Sequence, residues 1–346
     1  VVEAKSAATI AAVRARLGDP RFSLVSVPDA LPRTKPKALD FALPLCRGEH
    51  VVVFDAEDRP DADQLWKAAL RFRNEPDIAC LQARLVIDNG HRNWLTALFA
   101  GEYAGLFMVL LPALARWRLP MPLGGTSNHF RLRVLRELGG WDAYNVTEDA
   151  DLGTRLARRR LRVEMLASAT RETAPAQLLP WIGQRTRWMK GWMQTFIVHN
   201  RDPGRLAAEM GLPAMLAFEA LVLGMIIAPV LHCGFALVLL IRWASGAAEF
   251  SGAIWTALYL AMLALGYGSA LAMTARGLKR LQRTSLLPVQ VLLPVYWLLI
   301  GLATIRAAHE LMVRPFYWFK SPHRPEAEAK PVPSVSTRPA TRQIPI

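Results

Sequence analysis

The run His50-Val51-Val52-Val53-Phe54-Asp55-Ala56-Glu57-Asp58 decides the fold, because a string of β-prone apolar residues ends abruptly in a cluster of carboxylates. It reads as a buried strand whose carboxyl end is loaded with acid. Upstream, Phe22-Ser23-Leu24-Val25-Ser26-Val27 has strand character, and so does Ile78-Ala79-Cys80-Leu81-Gln82-Ala83-Arg84-Leu85-Val86 downstream. Helical patterns over 35–47 and 61–74 separate these runs. The alternation predicts an α/β domain with a parallel sheet, and nucleotides are expected at the carboxyl ends of such strands.

Farther along, the composition changes. Of 346 residues, 52% are hydrophobic and only 20% charged, too apolar for an ordinary soluble domain and too structured in pattern for a disordered chain. Residues 1–200 mix charges with short apolar runs, whereas 211–306 are almost purely apolar. The stretches 252–275 and 285–305 contain no Asp, Glu, Lys or Arg, and each is about long enough to cross a ~30 Å hydrocarbon layer. A third, 212–241, carries Glu219 near its start and Pro229 in its middle, and reads as one long kinked span or two partial ones. The loop 276–284, with Arg276, Lys279, Arg280 and Arg283, is expected on the cytoplasmic side. A third crossing would put Arg306 and Arg314 on the opposite side, so one of the apolar segments is expected not to cross simply. Residues 94–117 form a further apolar helix around Glu102 and Arg116, which fits either a membrane interface or a protein core. Residues 307–320 read as an interfacial segment, and 321–346, with six prolines, as a disordered tail. The start at Val1-Val2-Glu3, without Met, reads as a piece of a longer chain.

The net charge of +14 suits anionic lipid heads, phosphorylated ligands or nucleic acid. Its Arg and Lys lie beside apolar helices and no nucleic-acid motif accompanies them, so nucleic acid is not an expected partner. Cys46, Cys80 and Cys233 are odd in number and far apart, which argues against a disulfide framework or a zinc site and points to a reducing compartment.

Several groups of residues carry potential chemistry. Asp55, Glu57 and Asp58 are hard oxygen ligands that suit Mg²⁺ or Mn²⁺ holding a diphosphate; a solvated turn leading into the helix at Asp61 is the ordinary alternative. In Thr147-Glu148-Asp149-Ala150-Asp151, Thr147 is a good N-cap and acids in a first turn suit the helix dipole. One of those carboxylates could equally take a proton from an attacking hydroxyl. In Gln184-Arg185-Thr186-Arg187-Trp188, the basic residues either snorkel to lipid heads or clamp phosphate, and Trp188 offers a stacking platform for a sugar. Lys35-Pro36-Lys37 and Gly124-Gly125-Thr126-Ser127-Asn128-His129-Phe130 are less specific, the first a helix start or a phosphate contact, the second a tight loop or a close approach to ligand. His129 reads first as a structural histidine.

Taken in order, Lys-x-x-Ala-Leu, an acidic cluster after a strand, Thr-Glu-Asp, and Gln-x-x-Arg-Trp ahead of apolar helices resemble the processive family-2 glycosyltransferases. This is the cellulose-synthase-like group, and the runs D-A-E-D-R-P, G-G-T-S-N-H-F and P-F-Y-W-F-K-S-P-H are similar to its bacterial exopolysaccharide branch. The resemblance covers about residues 20–320. It implies a GT-A-type catalytic domain over 1–200, with a mixed, mostly parallel sheet and flanking helices, followed by transmembrane helices over 211–306. It implies Asp55 and Glu57 as metal ligands with Asp58 as a possible third, and Asp149 as general base. Lys37, Glu148, Gln184, Arg185, Arg187 and Trp188 are implied to bind donor and acceptor. The expected cofactor is Mg²⁺ or Mn²⁺. The expected partners are a UDP-sugar, a growing glycan, the bilayer and accessory subunits, at a bacterial inner membrane with the catalytic domain cytoplasmic. The family's earlier acidic motif is matched here only by Glu3, with Lys5-Ser6 in place of an acidic pair.

Overall fold

The structure, a computed structural model, describes residues 1–246 and 253–319. In chain order the catalytic-domain elements are β1 (Val2–Glu3), α1 (Ala7–Arg14), β2 (Ser26–Val27), α2 (Lys35–Ala42), β3 (His50–Val53), β4 (Arg59–Pro60), α3 (Gln64–Asn74), β5 (Ile78–Ile87), α4 (Trp94–Gly105), α5 (Leu111–Arg116), β6 (Asn128–Arg131), α6 (Leu132–Glu137), α7 (Glu148–Arg158) and β7 (Arg162–Glu172). Five more helices follow: α8 (Leu178–His199), α9 (Pro203–Met210), α10 (Leu212–Ala244), α11 (Ala253–Arg280) and α12 (Leu293–Val313).

β1 and β2 form a small parallel pair, and the main sheet has the order β3-β6-β5-β7-β4. The sheet is mixed, as expected, but not mostly parallel: only β5 and β7 pair in parallel, and the other three pairings are antiparallel. Two of these come from β6, which runs against its neighbours and is inserted between β3 and β5, and the third from the short edge strand β4 against β7. β3, β5 and β7 nevertheless point the same way, so their carboxyl ends share one edge of the sheet. The strand expected over 22–27 is confined to Ser26–Val27.

β5 lies at the centre, and all but one of its residues are buried, which matches its nearly continuous apolar run. Its one polar centre, Gln82, is fully buried and organises the next loop. Gln82 Oε1 accepts from the Gly124 N–H (2.8 Å) and from Asn128 Nδ2 (2.6 Å), while its Nε2 donates to the Thr126 carbonyl (3.1 Å). The Gly-rich loop is thereby fixed at the same edge as the end of β3.

α4 starts at a capping box in which Asn93 Oδ1 accepts the Thr96 N–H (3.0 Å) and Thr96 Oγ1 accepts the Asn93 N–H (3.1 Å). It continues through a π-helical stretch, Leu106–Leu110, into α5. Of the two settings open for this apolar helix, the structure gives a packed one. Leu95, Leu98, Phe99, Phe107 and Leu111 join the main core, and Gly277 of α11 lies so close to Ala104 that any side chain there would strike its carbonyl.

Three helical stretches among the described residues are long and apolar enough to cross a membrane: Trp94–Arg116, Leu212–Ala244 and Thr284–Val313. α10 is one continuous helix of 33 residues with Pro229 inside it, not two partial ones. α11 spans 28 residues and carries no charge before Arg276; residue 252, where this stretch was expected to begin, lies outside the described residues. α12 runs beside α8. Tyr296 packs on Trp181, Ala307 on Met189 and Met193, and Glu310 meets Lys190. Arg306 and Arg314, both within reach of Glu310, therefore lie beside the catalytic domain. Residues 307–313, expected as interfacial, are the last turns of α12. The tail expected over 321–346 lies outside the described residues.

Candidate functional site

A cavity of about 850 Å³ opens at the shared edge of β3, β5 and β7, between the sheet and α4, α7, α8 and α10. Asp55 follows β3 directly, and its N–H donates to Asp58 Oδ2 (2.7 Å). Thr126 Oγ1 also donates to that Asp58 oxygen. Asp58 thus closes the turn after β3 and ties it to the Gly-rich loop through one carboxylate oxygen, while the residue also borders the cavity. Burial raises its pKa above the ordinary carboxylate value. Asp55 and Glu57 line the cavity.

The lysine in this site is Lys35, not Lys37. Thr34 starts α2 with Oγ1 accepting the Lys37 N–H (3.4 Å), and Lys35, at the first helical position, reaches into the cavity. Its Nζ donates to Asp55 Oδ1 and to the Gly125 carbonyl (2.6 Å). Burial alone would lower its pKa, but Asp55, Glu148 and Asp149 together raise it, so the ammonium stays charged. Lys37 points the other way, donating to the carbonyls of Pro28 (3.1 Å) and Ala30 (2.8 Å).

Glu148 and Asp149 open α7 and face the cavity. Thr147, expected to cap this helix, makes no side-chain cap; its Oγ1 turns to Asn145 Oδ1 (3.4 Å), and α8 passes so close that any side chain at Gly191 would strike it. Burial and the adjacent Asp149 charge push Glu148 up to about 7. Burial raises Asp149 as well, against the pull of the Ala150 N–H, Lys35 and Arg187. Gly125 borders the pair: a Cβ there would sit 3.4 Å from Asp149 Oδ2. The last acid of the motif, Asp151, is structural, bonded to His199 Nε2 (2.9 Å) and Arg155 Nε (2.7 Å).

From α8, Gln184, Arg187 and Trp188 line the cavity. Gln184 Oε1 and Arg187 Nε are buried and have no hydrogen-bond partner among the described residues. Arg187 lies under the Trp318 ring (4.3 Å) and is otherwise held by the Val146 carbonyl (3.4 Å). Trp188 packs against Phe99 (5.9 Å) and Tyr103 (6.4 Å). Arg185, expected to bind substrate, also borders the cavity and has a buried Nε without a partner among the described residues, but most of its guanidinium is engaged by the protein. It meets both oxygens of Glu102, with NH1 to Oε1 at 2.6 Å, and donates to Tyr296 Oη (3.0 Å). Its guanidinium is enclosed by the rings of Phe99, Trp181, Trp188 and Tyr296. His129 is likewise structural, buried in β6 beside Gln64 Oε1 (3.2 Å) and pushed down to about 4 by burial.

Two cavity residues escaped the sequence reading. Glu172 ends β7 at the same edge as Asp55, and burial with the charges of Asp58 and Asp55 pushes it up to about 8. The signal was an acid closing a strand, as in β3, but β7 alternates weakly. Trp318 comes from residues 314–319, which fold back over α8: Lys190 Nζ donates to the Tyr317 carbonyl (2.8 Å), Gln194 Nε2 to the Pro315 carbonyl (3.1 Å), and the Phe319 ring fills the space left at Gly183.

The sequence pattern of the Glycosyl transferase family group 2 matches residues 50–303. The chain belongs to that family. The match takes in the acidic turn after β3, Thr147–Asp149, Gln184–Trp188 and the apolar helices. This family-2 chain is 30% identical over 166 residues to a beta-monoglucosyldiacylglycerol synthase of Trichormus variabilis, covering 47% of this chain and 35% of that protein. It is 26% identical over 144 residues to a probable glucomannan 4-beta-mannosyltransferase of Arabidopsis thaliana, covering 41% of this chain and 26% of that one. The chain thus spans about a third or less of the length of these relatives. In structure it resembles the mannosyltransferase PcManGT from Pyrobaculum calidifontis, solved in complex with GDP-Man and Mn²⁺ (TM-score 0.51, 21% identity, 86% of this chain and 77% of that one). That likeness places the family-2 domain in the GT-A-type fold.

Among the described residues, no three His, Cys, Asp or Glu side chains converge as a metal-ligand set. Asp55 and Glu57 still fit Mg²⁺ or Mn²⁺ of the kind that arrives with a diphosphate, since such ions commonly take one or two carboxylates and draw their remaining ligands from phosphate and water. A metal caged by protein alone does not fit.

Proposed function

We propose that this chain is a membrane-embedded inverting glycosyltransferase that draws a sugar from a nucleotide-diphosphate donor, UDP-glucose in the leading case, and extends a β-linked glycan. The observation that carries the reading is the meeting, in one cavity, of a buried carboxylate at a helix start (Asp149) with unsatisfied donor and acceptor atoms on Arg187 and Gln184. Asp149 accepts the proton of the acceptor hydroxyl as that oxygen attacks the anomeric carbon from the face opposite the diphosphate. Configuration inverts. Arg187 offsets charge gathering on the departing diphosphate, and Lys35 lies where it can do the same. A Mg²⁺ or Mn²⁺ ion held by Asp55 and Glu57 would supply further charge neutralisation there. Trp188 and Trp318 supply aromatic surface for sugar rings.

Further contacts support an orientation for this reading. Arg280 donates to the Met108 carbonyl, and Arg283 to the Ile87 carbonyl and to Asp88 (3.2 Å), so the basic loop after α11 sits on the catalytic domain's side. By the positive-inside tendency that side is cytoplasmic, which supports a bacterial inner membrane with product leaving outward. Accessory subunits belong to this reading only as an expectation.

A second reading, transfer to a lipid acceptor, is favoured by the far end of the cavity, where Leu106 and Leu110 face Leu221 and Met225 of α10. One assay separates them. Membranes bearing the chain are given radiolabelled UDP-glucose with Mg²⁺ or EDTA, beside Asp149→Asn. Label in ethanol-insoluble polymer supports the glycan reading, and label in the chloroform–methanol extract supports the lipid one. Asp149→Asn is expected to lower turnover by ~10²–10⁴ while UDP binding is kept; undiminished turnover removes Asp149 from the base role.

A further inference from the structure

One face of α11 changes character along its length. Ala272, Met273 and Ala275 give way to Arg276, Lys279 and Arg280, whose three- and four-residue spacings put the cations on one side of the helix. With Val109 of the π-helical stretch they line a groove of about 740 Å³, apart from the catalytic cavity.

Part of this charge is already used. Arg280 donates to the Met108 carbonyl, which lies four residues before Pro112, a residue with no N–H to offer it. Arg276 and Lys279 differ: both are exposed, and neither has an ion pair or hydrogen bond among the described residues. Some exposed arginines find carboxylates, as Arg33 does with Asp29 (2.7 Å), Arg59 with Asp88 (2.6 Å) and Arg205 with Glu209 (2.7 Å), but Arg276 and Lys279 sit beside a third cation, Arg280, with an apolar groove next to them. Like charges at helical spacing repel, so the arrangement is unfavourable until an anion joins it.

We infer that this groove binds the anionic headgroup of a membrane phospholipid. The phosphate meets Arg276, Lys279 and Arg280, and the acyl chains follow Ala272, Met273 and Val109. The occupant is identified by matching order: the groove runs from apolar to cationic as such a lipid runs from tail to head. A free phosphate would satisfy the cations and leave the apolar part uncovered.

The full chain, purified in a non-ionic detergent, is titrated with phosphatidylglycerol or phosphatidylcholine of the same acyl composition, and bound lipid is counted by native mass spectrometry. Arg276→Gln/Lys279→Gln is compared with the unaltered protein, with thermal unfolding to confirm folding. Phosphatidylglycerol is expected to bind the unaltered protein roughly 30-fold more tightly than the double variant, from two basic residues near an anionic head. Phosphatidylcholine is expected to bind both alike and more weakly, and millimolar inorganic phosphate to leave the lipid in place. Equal phosphatidylglycerol affinity in the two proteins, no preference over phosphatidylcholine, or displacement by phosphate alone would each overturn the assignment. If the double variant does not fold, Lys279→Gln alone is read, with a loss of roughly 5-fold expected and an unchanged affinity counting against the site.

Discussion

Lys35 and Lys37 stand two positions apart, yet only one reaches the cavity. With α2 starting at Thr34, the first helical residue turns toward Asp55 and the third toward the Pro28–Ala30 loop. Lys35→Gln is expected to raise the donor KM by roughly 10- to 100-fold, the range for losing a charged hydrogen bond, and Lys37→Gln to leave it within about twofold. Steady-state kinetics on the two variants checks this, and equal effects would return Lys37 to the site. Glu148 and Asp149 give the second residue-scale prediction. A carboxylate acts as base only when ionised, and burial raises Asp149, so kcat/KM is expected to rise with pH through a limb above the ~4 of ordinary carboxylates. Glu148→Gln is expected to leave that limb in place, because Glu148 is still protonated while Asp149 ionises. A limb that disappears in this variant would mean that Glu148 sets it. The acids and Arg187 were legible because their types and order are unusual. The choice between two lysines was not, since it depends on where a helix begins to within one residue.

At the scale of elements, α8 joins the catalytic domain to the apolar helices, and its consecutive residues serve different masters. Arg187 faces the cavity, while Arg185 is locked to Glu102 of α4 and Tyr296 of α12. Removing one partner of such a pair strands the other charge. Arg185→Gln is expected to cost roughly 2–3 kcal/mol, less than the ~3–5 of a fully buried pair because Glu102 keeps some contact with the cavity. The readout is a lower unfolding temperature in detergent with donor KM little changed; a selective loss of donor affinity at unchanged stability would instead make Arg185 a substrate ligand. Sequence placed both arginines in one motif and had no means of dividing their roles, because the partners come from Glu102 and Tyr296, far away in the chain. The sheet shows the same limit. The strands β3 and β5 were readable from their apolar runs, whereas the insertion of β6 between them was not, since its few residues, Asn128–Arg131, have no strong pattern of their own.

For the whole molecule, the long apolar helices were plain from composition, and their packing was not. The most apolar stretch of α10 is unburied within the protein, with Leu231, Leu237, Leu240 and Ile241 among its exposed residues. Such a surface needs lipid or detergent. The chain is expected to stay in the membrane pellet through an alkaline carbonate wash and to leave it only with detergent; recovery in the wash would contradict a membrane-embedded reading. Charge placement predicted that one of the apolar segments would not cross simply, with α12 among the candidates, but gave no reason in packing. The alignment of α12 along α8 rests on particular pairs, Trp181 with Tyr296 and Lys190 with Glu310, that hydropathy does not see.

The return of residues 314–319 over α8 makes the pocket depend on a part of the chain that follows the long apolar helices. Trp318, which covers Arg187, arrives only after α10, α11 and α12 have been threaded and α12 has settled beside α8. A fragment ending near residue 210 would hold every acidic residue of the site and still lack a wall. On the proposed reading, turnover is expected only once α12 and residues 314–319 are in place, so activity would double as a measure of completed assembly.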